Sequence, residues 1–216
     1  MTHVKICGIC QSEHALAAAE AGADFIGLVF AQSKRQVDAK SARKIIAEVK
    51  KHKSPPQTVG VFVNTPAIEI NRIVEYCGLD RVQLSGDEPW SYIGDIAVPV
   101  IKAIRVHRDL DNDSLLADLE RAWRFTDDDF LFLLDRAVPG SYGGTGQAFD
   151  WKLARGVTEK LPVIIAGGLS PENVAKAIRT ARPWGVDVSS GVESNGAKDI
   201  ARIKAFISAV RKCDEG

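Results

Sequence analysis

The chain of 216 residues carries 28 Lys plus Arg against 28 Asp plus Glu, for zero formal charge, and is 45% hydrophobic and 26% charged. This balance argues against a general electrostatic role on nucleic acid or a membrane surface, while leaving room for a local cationic pocket. No apolar run approaches the ~20 residues of a membrane span and no leader-like segment opens the chain, so a cytoplasmic protein is expected. Cys7, Cys10, Cys77 and Cys213 are too few and too scattered for a disulfide framework in a chain of this size.

Read in order, the sequence repeats one arrangement. Strand-length runs rich in Val, Ile and Phe occur at 4–7, 24–30, 57–63, 81–84, 98–104, 130–135, 161–167 and 185–190. Several are nearly all apolar, as parallel strands covered on both faces require. Amphipathic segments lie between them at 12–22, 41–52, 66–78, 112–123, 170–181 and 198–212, and shorter ones at 88–97 and 149–157. Ser170 before Pro171 reads as an N-cap followed by proline at the first helical position. Eight β-then-α units without surplus predict an α/β fold, a single (β/α)8 TIM barrel domain over 1–216 with eight parallel strands. The rival, a doubly wound open sheet, lacks a G-x-G-x-x-G after its first strand.

In a barrel, chemistry belongs at the C-terminal ends of the strands. Lys5 and Cys7 share a face of the first strand, and Cys7 is either a small buried hydrophobe or a thiolate whose pKa a nearby cation lowers. Cys10 stands at C-x-x-C spacing from it, but six residues before the motif are too few for a thioredoxin-like start. The four histidines show no metal-ligand spacing, so no metal is expected. Lys34 and Arg35 follow the second strand, and Gln83 and Ser85 end the fourth. Asp135 closes the apolar run FLFLL, a setting for a desolvated general acid or for a turn-capping carboxylate. Gly144 and Gly146 in SYGGTGQ, Gly167 and Gly168 in AGGL, and Ser189, Ser190 and Gly191 in DVSSGVE allow close backbone approach at three strand ends. Loops after the seventh and eighth strands commonly bind phosphate through backbone N–H groups, so a small phosphorylated ligand is expected.

KICGIC, VFAQSKR, VGVFVN, QLSGDE, LLDRAVPGSYGGTGQAFDW, AGGLSPENV and DVSSGVE, in this order, closely resemble the phosphoribosylanthranilate isomerases of tryptophan biosynthesis, from Lys5 to about Phe206. The resemblance implies an Amadori rearrangement of N-(5'-phosphoribosyl)anthranilate without cofactor, metal, nucleic-acid or membrane partner, by a monomer or homodimer. It implies Cys7 as general base and Asp135 as general acid. It also implies Arg35 on the anthranilate carboxylate, Asp187 on the bridging amine, and Gln83 with the glycine and serine loops around the rest of the substrate. Three departures stand out: the family often has His at the position of Ser85, Thr or Leu at that of Cys10, and a loop before Arg35 one residue longer than this one. Other readings are an indoleglycerol-phosphate synthase, a dual-specificity isomerase with an acid on the first strand, or a barrel that binds such a ligand without turnover. The first would use lysines such as Lys5 and Lys102.

Overall fold

In a computed structural model, residues 1–106, 112–124, 126, 129–136 and 151–215 are described. Their strands are β1 (His3–Cys7), β2 (Phe25–Val29), β3 (Gln57–Phe62), β4 (Arg81–Leu84), β5 (Val100–Val106), β6 (Leu131–Arg136), β7 (Val163–Ile165) and β8 (Gly185–Val188). They pair in sequence order and β8 returns to β1, so the expected eight-stranded barrel is closed. The period of two divides each strand between two cores. Phe25, Val59, Ile101, Leu131, Leu133, Ile164 and Ala166 fill the barrel interior. Their neighbours Ile26, Leu28, Val82, Phe132, Leu134, Val163, Ile165 and Val186 point outward into the larger core against the helices. That double burial explains why FLFLL and VII are unbroken apolar runs.

The helices are α1 (Ser12–Glu20), α2 (Ala39–Val49), α3 (Ala67–Cys77), α4 (Asn112–Trp123), α5 (Trp151–Thr158), α6 (Val174–Ala181) and α7 (Ile200–Glu215). Three local expectations shift. The α2 helix starts two residues early because the Asp38 side chain caps it, accepting from the Ser41 amide at 2.7 Å. After β4 there is only a 3-10 segment, Trp90–Asp95, following Pro89. Ser170 does not cap α6: its amide donates to Asn173 Oδ1 at 2.8 Å, and Asn173 Nδ2 donates to the Gly168 carbonyl at 2.8 Å. This clamp turns residues 171–173 and delays the helix to Val174.

Between β8 and α7 lies an element the periodicity did not announce. Strands β9 (Glu193–Ser194) and β10 (Ala197–Lys198) form an antiparallel hairpin. Asn195 and Gly196 turn it with φ of 54° and 81°, the pair of positive values a tight hairpin turn needs. At the N-terminal end of the barrel, Phe25 packs on Trp184 with ring centroids 5.9 Å apart and Arg81 covers Phe25. Among the described residues, no helix is long and apolar enough to cross a membrane.

Candidate active site

At the C-terminal end a cavity of about 650 Å³ opens, lined by residues from β1 to β6 and β8 and the loops that follow them. Cys7, Arg35, Gln83, Ser85, Asp135, Asp187 and Ser189 all face it. Seven residues scattered over more than 180 positions thus converge because parallel strands bring their C-terminal ends to one rim.

The floor is built by β1 and β8. Their register sets Lys5 beside Asp187, and the Lys5 ammonium donates to Asp187 Oδ1 at 2.8 Å. Lys5 is only 1% exposed, so its charge has to be met inside the protein. Burial pulls the lysine down, but Asp187 and the Cys7 sulfur outweigh it and hold the ammonium above its usual pKa. Cys7 itself is pushed up, because burial outweighs the opposing pull of Lys5 and Lys198. Of the two readings of Cys7, a buried thiol and a cation-lowered thiolate, the structure gives the raised pKa of the first. Cations are present, but the dry environment wins. Across the β1–β2 pair Cys7 lies in register with Gly27. A Cβ at Gly27 would sit 2.8 Å from Cys7 Sγ and 3.2 Å from Lys5 Nζ, so the missing side chain is the space that thiol and ammonium occupy.

A second charged group forms one wall. Arg35 donates side-on to Glu193, through Nε to Oε1 at 2.5 Å and Nη2 to Oε2 at 3.1 Å. Lys198 reaches the same carboxylate at 3.0 Å and also donates to the Ser189 carbonyl at 2.9 Å. Burial pushes Glu193 up, yet hydrogen bonds and charge from Arg35 and Lys198 bring it down to about 2. Lys198 is lowered, since its burial outweighs the attraction of Glu193. The Arg35 stem lies over Gly8, where an added Cβ would meet Arg35 Cδ at 2.5 Å and Ser189 Oγ at 3.1 Å. Neighbouring Cys10 is exposed, and its thiol donates to the Arg35 carbonyl at 3.4 Å, outside the cavity lining.

Gln83 and Ser85 stand on the β4 side. Gln83 Nε2 donates to Ser85 Oγ at 2.9 Å, while its buried Oε1 has no partner among the described residues. Asp135, half-buried at the end of β6, enters the cavity from a wall three strands away from β1. The loops after β7 and β8 meet closely: a Cβ on Gly191 would fall 1.8 Å from the Leu169 carbonyl oxygen, so only glycine fits. Gly167 and Gly168 supply a left-handed turn, with φ of 83° and 64°. Ser190 begins a one-turn 3-10 segment that includes Gly191. Gly144 and Gly146 lie outside the described residues. Gly27, Glu193 and Lys198 were not singled out from sequence. The Asn-Gly dipeptide at 195–196 was the local signal that could have found the last two.

A dry thiol and a carboxylate on separate walls of a small, partly cationic cavity can move protons on a bound anion. With the closed barrel, this places the protein among the (β/α)8 enzymes that act on small ligands. The family model described as "N-(5'phosphoribosyl)anthranilate (PRA) isomerase" matches residues 4–209. N-(5'-phosphoribosyl)anthranilate isomerase of Dehalococcoides mccartyi is 44% identical over 214 residues, covering 99% of this chain and 98% of the relative. The enzyme of the same name from Moorella thermoacetica is 50% identical over 218 residues, covering 100% and 92%. Among solved structures, phosphoribosyl anthranilate isomerase of Thermotoga maritima superposes with a TM-score of 0.82 at 39% identity, covering 98% of this chain and 100% of that one. The chain belongs to the N-(5'-phosphoribosyl)anthranilate isomerase family.

Proposed function

We propose that the chain converts N-(5'-phosphoribosyl)anthranilate into 1-(2-carboxyphenylamino)-1-deoxyribulose 5-phosphate, with Asp135 as acid and Cys7 as base. The chain is an isomerase of tryptophan biosynthesis by family. A relative of 39% identity and TM-score 0.79 was solved with reduced 1-(o-carboxyphenylamino)-1-deoxyribulose 5-phosphate, a ligand with the same carboxylate, amine and phosphate. The observation that carries the assignment of roles is the buried Cys7 thiol beside Lys5, with Asp135 facing the same cavity from β6.

In this reading the Asp135 carboxyl gives a proton to the furanose ring oxygen. The C1'–O bond then breaks, and the amine lone pair forms a Schiff base. The Cys7 thiolate next removes the proton from C2', and that electron pair moves toward the iminium to give an enolamine. Its tautomerisation delivers a proton to C1' and leaves the C2' ketone. One proton enters at oxygen and one leaves carbon, so the reaction needs no external oxidant. Lys5 is the counter-ion available to the thiolate, and it orients Asp187 through the 2.8 Å bond to Oδ1, so that the carboxylate accepts a hydrogen bond from the bridging N–H. Arg35 takes the anthranilate carboxylate. Gly167, Gly168, Ser189, Ser190 and Gly191 hold the phosphate, with Gly144 and Gly146 as further contacts. Gln83 Oε1 is an acceptor open to a sugar hydroxyl.

The testing experiment follows anthranilate fluorescence as enzyme is added to phosphoribosylanthranilate, with and without chelator. The expected result is rapid decay in both. Saturating substrate with no decay favours a binding-only barrel, and loss on chelation contradicts metal-free acid–base chemistry. A monomer or a homodimer fits this activity, a Thermotoga maritima relative of 38% identity and TM-score 0.81 being described as dimeric. Sedimentation distinguishes the two.

A further inference from the structure

We propose that Glu193, carried into the site by the β9–β10 hairpin, is a positioning and specificity-determining residue that aims the Arg35 guanidinium at the substrate carboxylate. This rests on the reading above that Arg35 binds that carboxylate. A guanidinium has two edges able to grip a carboxylate, one through Nε and Nη2 and one through Nη1 and Nη2. Glu193 occupies the first edge with bonds of 2.5 and 3.1 Å. Nη1 has no partner among the described residues, and Arg35 lines the cavity. With one edge fixed, the other is left for a ligand carboxylate at a set angle and without loss of rotamer freedom on binding.

The aim is fixed from several sides. The Arg35 stem is packed over Gly8, one residue after Cys7. Glu193 is itself held by Lys198 at 3.0 Å, and Lys198 ties back to Ser189 through its carbonyl at 2.9 Å and its hydroxyl at 3.3 Å. The arginine after β2 and the serine after β8 are thus braced by one hairpin, although 154 positions separate them. Lys34 also reaches Glu193, at 3.4 Å, so three cations face one carboxylate and the wall keeps surplus positive charge for a ligand carboxylate.

This reading differs in sign from simple charge counting. Removing the Glu193 charge makes the wall more positive, which by electrostatics alone tightens anion binding. Loss of aim loosens it. The probes are the reduced product analogue and its counterpart with phenyl in place of carboxyphenyl, their affinities measured by calorimetry on the full chain. Glu193→Gln is expected to reduce the preference for the carboxylated compound about tenfold, the scale of one charge-assisted hydrogen-bonded contact. In turnover the loss falls on KM more than on kcat. Glu193→Asp keeps the charge but withdraws the carboxylate by one carbon, and it is expected to reduce the preference in the same direction. It serves as the test if the glutamine variant does not fold. Arg35→Met abolishes the preference if Arg35 binds the carboxylate. Should Arg35→Met abolish it while Glu193→Gln or Glu193→Asp leaves it unchanged or stronger, the role of Glu193 is overturned and that of Arg35 stands. A preference surviving Arg35→Met overturns both.

Discussion

Replacing Gly27 by alanine reaches Cys7 without touching it in sequence. The two residues are cross-strand neighbours, and the new methyl would stand 2.8 Å from Cys7 Sγ, 3.2 Å from Cys7 Cα and 3.2 Å from Lys5 Nζ. Non-bonded heavy atoms prefer about 3.5–4.0 Å, so the thiol has to move by roughly 0.7 Å or more. Neighbours on β1 and β2 are fully buried, including Ile6 and Ile26 at 0% exposure, which limits how far the backbone can yield. Overpacking of this kind costs about 1–3 kcal/mol of stability. Misplacing a reacting group by about 1 Å can cost ~100-fold in rate, so kcat is expected to fall by about 10- to 100-fold. Urea unfolding gives the first quantity, and the fluorescence-decay assay at saturating substrate gives the second. Titration of the thiol with a chromogenic disulfide adds a check, because Lys5 is displaced from the sulfur in the same step. A folded Gly27→Ala enzyme with kcat within a few-fold of wild type and an unchanged thiol titration would refute the placement of Cys7 in the chemistry.

Other outcomes follow from the same geometry. Asp135→Asn keeps shape but supplies no proton to the ring oxygen, so kcat should fall by about 10²–10⁴-fold, and near wild-type turnover sinks the acid assignment. Cys10→Ser should leave turnover within a few-fold, and a loss equal to that of Cys7→Ser revives a dithiol function. Since burial pushes the Cys7 thiol above its usual value, little is thiolate at neutral pH. The kcat/KM profile should therefore climb through pH 7 and still be rising at pH ~8.5, and a plateau already reached by pH 7 contradicts this. Glu193, lowered from 4.5 to about 2, contributes stability above pH 4.5 that is lost as pH falls through 2. The shift corresponds to about 3 kcal/mol. In urea unfolding, the stability gap between wild type and Glu193→Gln should roughly halve from pH 7 to pH 3, and an equal gap at both contradicts the linkage.

The barrel was legible because burial on two faces leaves a coarse signal, apolar runs at 59–63 and 130–134 alternating with amphipathic segments. Strand ends were legible for the same reason, so Cys7, Gln83 and Asp135 could be placed at the rim by counting, whereas Asp187 came only with the resemblance. What escaped was set by pairing across the chain. Gly27 matters only because register puts it against Cys7, and nothing near Gly27 in sequence refers to the first strand. Glu193 and Lys198 act through a two-residue hairpin too short to show periodicity, although Asn195-Gly196 marks its turn. The pKa of Cys7 stayed open in the sequence, because a nearby lysine can be inferred from alternation, whereas the degree of desolvation cannot. Ser170 read as a cap from its dipeptide, and the Asn173 side chain overrode that reading. The resemblance supplied the identity of the substrate, which no amount of strand counting provides.

The most direct measurement of the central claim, that Cys7 takes the C2' proton, is Cys7→Ser studied in two assays on one folded preparation. The reduced product analogue should bind with an affinity within a few-fold of wild type, because the proposed roles put binding on Arg35, Asp187 and the glycine–serine loops. Turnover of phosphoribosylanthranilate should fall by about 10²–10⁴-fold, the contribution of a positioned base. Turnover surviving near wild type, or a loss shared equally by turnover and binding, would contradict the assignment.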